Sequence, residues 1–98
     1  MVNINKLLKQ AQKMQDDIAR QMKEMEIEGT AGGGAVRITM NGKKEVLAVA
    51  ISKEAVDPED LSVLEDLVLA AANDACKKVD AELQETLGGA MPPGLPVG

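Results

Sequence analysis

Leu64-Glu-Asp-Leu-Val-Leu-Ala-Ala-Ala-Asn-Asp-Ala-Cys-Lys-Lys78 is the stretch that decides how this chain folds. Leu64, Leu67, Val68, Ala71, Ala72 and Ala75 recur at spacings of three and four, and Leu61, Val79 and Leu83 extend the same face on either side. That period writes one broad apolar stripe on a helix that has to be buried. The small residues in its middle allow another element to approach closely. Upstream, Asp57-Pro58-Glu59-Asp60 has the chemistry of a helix start: Asp57 as a cap, Pro58 suited to the first helical position, and acids at the positive end. The helix is expected to run to about Leu87 and stop at Gly88-Gly89.

Upstream of that helix the period changes from helical to alternating. Met25 and Ile27 sit between glutamates, and a first strand is expected near Glu24 to Thr30. Gly32-Gly33-Gly34 is a bend, since it lacks the lysine and the following helix of a phosphate-binding loop. Val36, Ile38 and Met40 alternate with Arg37 and Thr39, the pattern of a half-buried strand. Asn41-Gly42 reads as a hairpin turn in which both positions accept positive φ. Glu45 to Ile51 is apolar at nearly every position, which suggests burial on both faces. A two-residue or a four-residue loop would keep Val36 and Ile38 on the face of Leu47, Val49 and Ile51, whereas a three-residue loop would flip it.

The N-terminal segment is a second amphipathic helix, expected from about Asn3 to Glu26 and capped by Asn3 or Asn5. Ile4, Leu7, Leu8, Ala11, Met14, Ile18, Met22 and Met25 share one face, and Ile4, Ala11, Ile18 and Met25 are seven apart, a spacing that can make a seam with another helix. Lys6, Lys9, Lys13, Arg20 and Lys23 line the opposite face. They read either as a phosphate-tracking stripe or as a solvated face, which Asp16 and Asp17 interrupt. Arg37, Lys43 and Lys44 cluster at the hairpin, where cations either touch phosphate or block edge-to-edge strand pairing. Lys77 and Lys78 pair more naturally with Asp74, Asp80 or Glu82 at helical spacing.

Composition narrows the function further. The chain has 98 residues, a net charge of −5, one cysteine, and no histidine, tryptophan, tyrosine or phenylalanine. Without histidine the usual general base near neutral pH and the commonest metal ligand are missing, so an enzyme, a metal site or a small-molecule substrate is not expected. Without aromatics, bases have nothing to stack on, which disfavours a sequence-reading single-strand or RNA binder. The lone Cys76 suits a reducing cytosol and is read as a small core residue. No apolar run is long enough to span a membrane, and no secretory signal opens the chain. Residues 1–53 carry nine basic and six acidic groups, while residues 54–98 carry two and ten, so any approach to DNA should be led by the first helix and the hairpin.

Four segments in order resemble the YbaB/EbfC family of small bacterial nucleoid-associated proteins. They are Leu8-Lys-Gln-Ala-Gln-Lys-Met-Gln15, Gly32-Gly-Gly-Ala-Val-Arg-Ile-Thr-Met-Asn-Gly42, the stretch quoted at the outset, and Met91-Pro-Pro-Gly-Leu95. The resemblance implies a homodimer that binds double-stranded DNA in the nucleoid, with helical arms beside a central sheet. The expected architecture is α+β: helix, three-stranded antiparallel sheet, long helix, in an intertwined homodimer with projecting helical arms. Residues 1–89 would form its single domain and residues 90–98 a flexible tail. Helices of this length overhang a 98-residue globule, which independently favours a second subunit. The competing reading is a dimeric protein–protein interaction module without DNA binding.

Overall fold

A computed structural model describes residues 3–87. Helix α1 (Ile4–Glu24) is followed by strands β1 (Ile27–Ala31), β2 (Val36–Met40) and β3 (Val46–Ile51), a short 3-10 turn (Lys53–Ala55), and helix α2 (Ser62–Leu87). The strands form one antiparallel sheet in the order β1-β2-β3. The helix–sheet–helix order and the strand pairing are those the sequence led us to expect. The glycines and tail from residue 88 onward, where the helix stop and flexible tail were expected, lie outside the described residues.

The core forms where the two apolar periods meet. Val36, Ile38 and Met40 point from one face of β2 onto Ala71, Ala75, Val79 and Leu83 of α2, and all seven are buried. Ile18, Met22 and Met25, from the C-terminal end of α1 and the residue just beyond it, pack against this cluster. Ala71 and Ala75 meet Gly29 of β1, where an added Cβ would lie 2.2 Å from the Ala75 amide nitrogen. The helix therefore rests on bare backbone, the close approach that the small residues of α2 permit. Between β1 and β2 the bend at Gly32, Gly33 and Gly34 has positive φ at all three positions, which side-chain-bearing residues rarely adopt.

The hairpin differs from its expected form. Its loop is Gly42, Lys43 and Lys44, closed by the Asn41 amide donating to the Glu45 carbonyl at 3.1 Å. The residue with positive φ is Lys44, at 62°, rather than Asn41 or Gly42. A loop of this length should put the apolar side chains of β3 on the wrong face. A β-bulge corrects it: Met40 pairs with Val46 while Thr39 pairs with Ala48, so Leu47 is the extra residue. Ile38 then faces Val49, and Val36 faces Ile51.

Two further expectations are corrected. Helix α2 begins at Ser62 rather than at Pro58. The Asp57 carboxylate accepts from the Glu59 amide at 3.0 Å, closing a local turn around Pro58. The Asp60 carboxylate then accepts from the Ser62 amide at 3.1 Å, and helical bonding starts with Glu65 to the Leu61 carbonyl. The second correction concerns β3, expected to be buried on both faces. Val46, Leu47, Val49 and Ile51 are 44–54% exposed, because α2 lies over β1 and β2 and leaves β3 uncovered within one chain. The body measures 72 × 23 × 16 Å with a radius of gyration of 18.4 Å, against about 13 Å for a compact domain of this size.

Candidate nucleic-acid interface

Helix α1 is fixed at its start by Asn3, whose side-chain oxygen accepts from the Lys6 amide at 3.2 Å. From there the helical period sorts the side chains onto opposite faces. Lys6, Lys9, Lys13, Arg20 and Lys23 are all exposed. On the other face only Ile18 and Met22 reach the core, whereas Ile4, Leu7, Leu8 and Met14 are 52–67% exposed. The first half of α1 therefore stands clear of the body as an arm. Arg20 is partly committed, with its guanidinium 3.0 Å from the Asp17 carboxylate. Arg20 is largely in water and Asp17 partly so, and such a surface pair costs Arg20 little of its reach.

The hairpin is built around Asn41, which is 1% exposed and hydrogen-bonded at both its side-chain nitrogen and its side-chain oxygen. Its amide nitrogen donates to the Glu45 carboxylate at 2.8 Å, and its side-chain oxygen accepts from the Lys43 and Glu45 amides at 2.9 and 3.0 Å. The Gly42 amide donates to the Met22 carbonyl of α1 at 2.6 Å. A Cβ on Gly42 would come within 2.9 Å of the Met22 backbone, so only glycine lets the turn dock on the helix end. Lys23 and Lys43 each follow a residue of the Met22–Gly42 bond, at the junction of helix and hairpin. Lys43 is exposed.

Lys44, beside Lys43 in the turn, is placed differently. It is half-buried, and its ammonium lies 2.9 Å from Oδ1 of Asp80 on α2. That oxygen is enclosed, and the Lys44 ammonium is the partner that balances its charge. Arg37 is exposed on the sheet face turned away from α2, opposite Thr30 and Ala50. Lys6, Lys9 and Lys13 are not gathered with the hairpin: Lys13 lies about 15 Å and Lys6 about 25 Å along the helix axis from Lys23. Lys6, Lys9, Lys13, Arg20 and Lys23 thus follow α1 toward the hairpin that carries Lys43 and the Asp80-paired Lys44, while Arg37 lies on a separate face.

On α2, Lys78 is occupied, as its spacing suggested. It pairs with Asp74 at 3.0 Å and donates to the Glu28 carbonyl at 3.3 Å. Asp74 also accepts from the Thr30 amide at 2.9 Å. That amide, and then the Lys78 ammonium, hold the Asp74 carboxyl below its ordinary value. Sequence reasoning missed the Asp74–Thr30 and Lys44–Asp80 contacts. They join residues far apart in the chain, and no local spacing signals them.

Residues 1–95 match the YbaB/EbfC DNA-binding family. This chain belongs to that family. A nucleoid-associated protein of Lachnoclostridium phytofermentans is 54% identical over 83 residues, covering 82% of this chain and 70% of that protein. Another, from Agathobacter rectalis, is 46% identical over 88 residues, covering 87% and 78%. A third, from Bacillus licheniformis, is 54% identical over 79 residues, covering 76% and 74%. The crystal structure of an uncharacterised protein from Helicobacter pylori superposes with a TM-score of 0.74 over 91% of this chain and 94% of that one. At 21% identity that likeness is one of fold. The YbaB/EbfC segments quoted from the sequence lie on the arm (Leu8–Gln15), at the β1–β2 bend and β2 (Gly32–Gly42), and on the face of α2 that closes the core (Leu64–Lys78). Among the described residues no helix is long and apolar enough to cross a membrane.

Proposed function

We propose that this chain is a cytoplasmic, nucleoid-associated protein that binds double-stranded DNA with little sequence discrimination, acting by binding rather than by catalysis. Membership of a DNA-binding family supports the reading, as do relatives named nucleoid-associated proteins. The observation that carries the mechanism is the exposed row of Lys6, Lys9, Lys13, Arg20 and Lys23 on α1, whose first half stands off an otherwise acidic protein. Cations so placed neutralise phosphates and release counterions, a term blind to sequence. Lys43, Arg37 and the partly neutralised Lys44 extend the contact to the body. With no aromatic side chain and only two arginines, readout of base edges has few tools, and shape and charge dominate.

The functional unit in this reading is a homodimer with two projecting arms, able to grip or bend a duplex. Its support is the bare β3 strand, apolar on both faces, together with the uncovered apolar residues of α1. A row of large apolar side chains on a 98-residue chain is the surface that a second copy removes from water.

The test is an anisotropy titration of a random-sequence duplex at two salt concentrations. Wild type is compared with a Lys6→Ala, Lys9→Ala, Lys13→Ala variant. Binding that weakens with salt, and a salt slope lowered by about 0.9 for each lost phosphate contact, is the expected result. Unchanged binding by the variant would move the site to the hairpin. No binding by wild type at low salt would favour the protein-interaction module.

A further inference from the structure

The sheet has two edges, and the structure treats them differently. β3 carries its outer edge with no described strand beside it and no helix over it. β1 is also an edge strand, but α2 runs alongside and reaches into it with two side chains. In an antiparallel ladder a new strand pairs at alternate residues, each station using both the amide and the carbonyl of one residue. On β1 the outward-facing stations are Glu28 and Thr30. Asp74 takes the Thr30 amide at 2.9 Å, and Lys78 takes the Glu28 carbonyl at 3.3 Å. One half of each station is therefore occupied, and no station is whole. The two side chains also pair with each other at 3.0 Å, so each holds the other in place. Gly29, between the stations, is pressed against the α2 backbone, which fixes the helix where these side chains can reach.

We propose that Asp74 and Lys78 form a clasp that closes the β1 edge to incoming strands. The sheet is left with one adhesive side, at β3. The inference rests on the homodimer reading for its consequence. If both edges were open, copies could join β3 to β1 repeatedly and grow without end; with β1 shut, association through β3 closes on itself. Edge strands left with whole stations template such growth, and natural sheets block them by covering or charging the edge. Asn73-Asp74 and Lys77-Lys78, which the helical period of α2 does not require, thereby acquire a role for one member of each pair.

The test compares wild type with an Asp74→Ala, Lys78→Ala variant by sedimentation velocity over a concentration series, with far-UV circular dichroism to verify folding. Wild type is expected to hold one stoichiometry. The variant is expected to shift towards species larger than a dimer as concentration rises. Adding Thr30→Pro to the variant should abolish the shift, because it deletes the freed outward amide while leaving the bonds to β2. A folded variant with the wild-type distribution overturns the clasp. So do larger species that persist with Thr30→Pro, since these would come from general loss of packing. If the double variant loses its helical signal, Lys78→Ala alone, which frees the Glu28 carbonyl and makes that station whole, is compared with wild type in its place, because Lys78 is half exposed and contributes nothing to the core. A wild type that sediments as a monomer would sink the dimer reading, while the comparison between variant and wild type would still decide the clasp.

Discussion

Replacing Gly29 with alanine should cost this fold more than almost any other single methyl group. The added Cβ would lie 2.2 Å from the Ala75 nitrogen, 2.4 Å from the Ala71 carbonyl oxygen and 2.6 Å from the Ala75 Cα. All three are backbone atoms of a helix, so no side chain can rotate away. Restoring an ordinary contact of about 3.4 Å requires α2 to lift by about 1.2 Å from the sheet. A gap of roughly that size forfeits a quarter to a half of each dispersion contact across it, and Val36, Ile38, Ala71 and Ala75 all lie there. Overpacking alone costs about 1–3 kcal/mol, and with the opened contacts the expected loss is about 3 kcal/mol or more. Against a total stability on the order of 5–15 kcal/mol that is a large fraction. Urea unfolding followed by far-UV circular dichroism at one fixed protein concentration measures it, since assembly makes apparent stability concentration-dependent. Gly33→Ala is the control: its Cβ meets nothing, and its positive φ of 69° should cost only about 1–2 kcal/mol. A Gly29→Ala midpoint equal to or above that of Gly33→Ala would refute the close docking of α2 on β1.

Two other perturbations follow from single contacts. Asn41→Ala removes the buried amide that holds the hairpin and leaves the Lys43 and Glu45 amides without their acceptor, so a loss of about 2 kcal/mol is expected in the same unfolding assay; a loss within error of zero would show that the turn holds itself. The ionised Asp74 is favoured in the folded state by the Thr30 amide and by Lys78, so its stabilisation is complete above the ordinary carboxylate pKa of 3.8 and disappears as pH falls through the lowered folded value. Asp74→Asn should therefore flatten the acid limb of a melting-temperature-versus-pH curve, and an acid limb as steep as that of wild type would show that other carboxylates govern it.

Much of the fold is legible in the sequence because it is set by local periods. The three-and-four spacing of α1 and α2 and the alternation of Val36, Ile38 and Met40 each follow from how side chains leave a helix or a strand. The opposition of the lysine row to the apolar row on α1 follows in the same way, so the exposure of Lys6, Lys9, Lys13, Arg20 and Lys23 could be anticipated. Helix start signals were ambiguous because Asp57 and Asp60 offer the same capping chemistry three residues apart, and Asp57 closes a local turn on the Glu59 amide instead. The hairpin was harder. Its loop length and its bulge are two one-residue shifts that cancel, so the correct face was read with the wrong loop.

The sequence by itself determined the order of elements, the apolar faces and the segregation of positive charge to the first helix and the hairpin. These are properties of residues within a few positions of one another. Tertiary structure alone decided that Lys44 would be balanced by Asp80, that Asp74 and Lys78 would reach the β1 edge, and that α2 would cover two strands and leave the third bare. Each of those joins residues tens of positions apart, and their meeting depends on how closely a helix can settle on a sheet. At Gly29 that distance is set by the absence of one carbon atom.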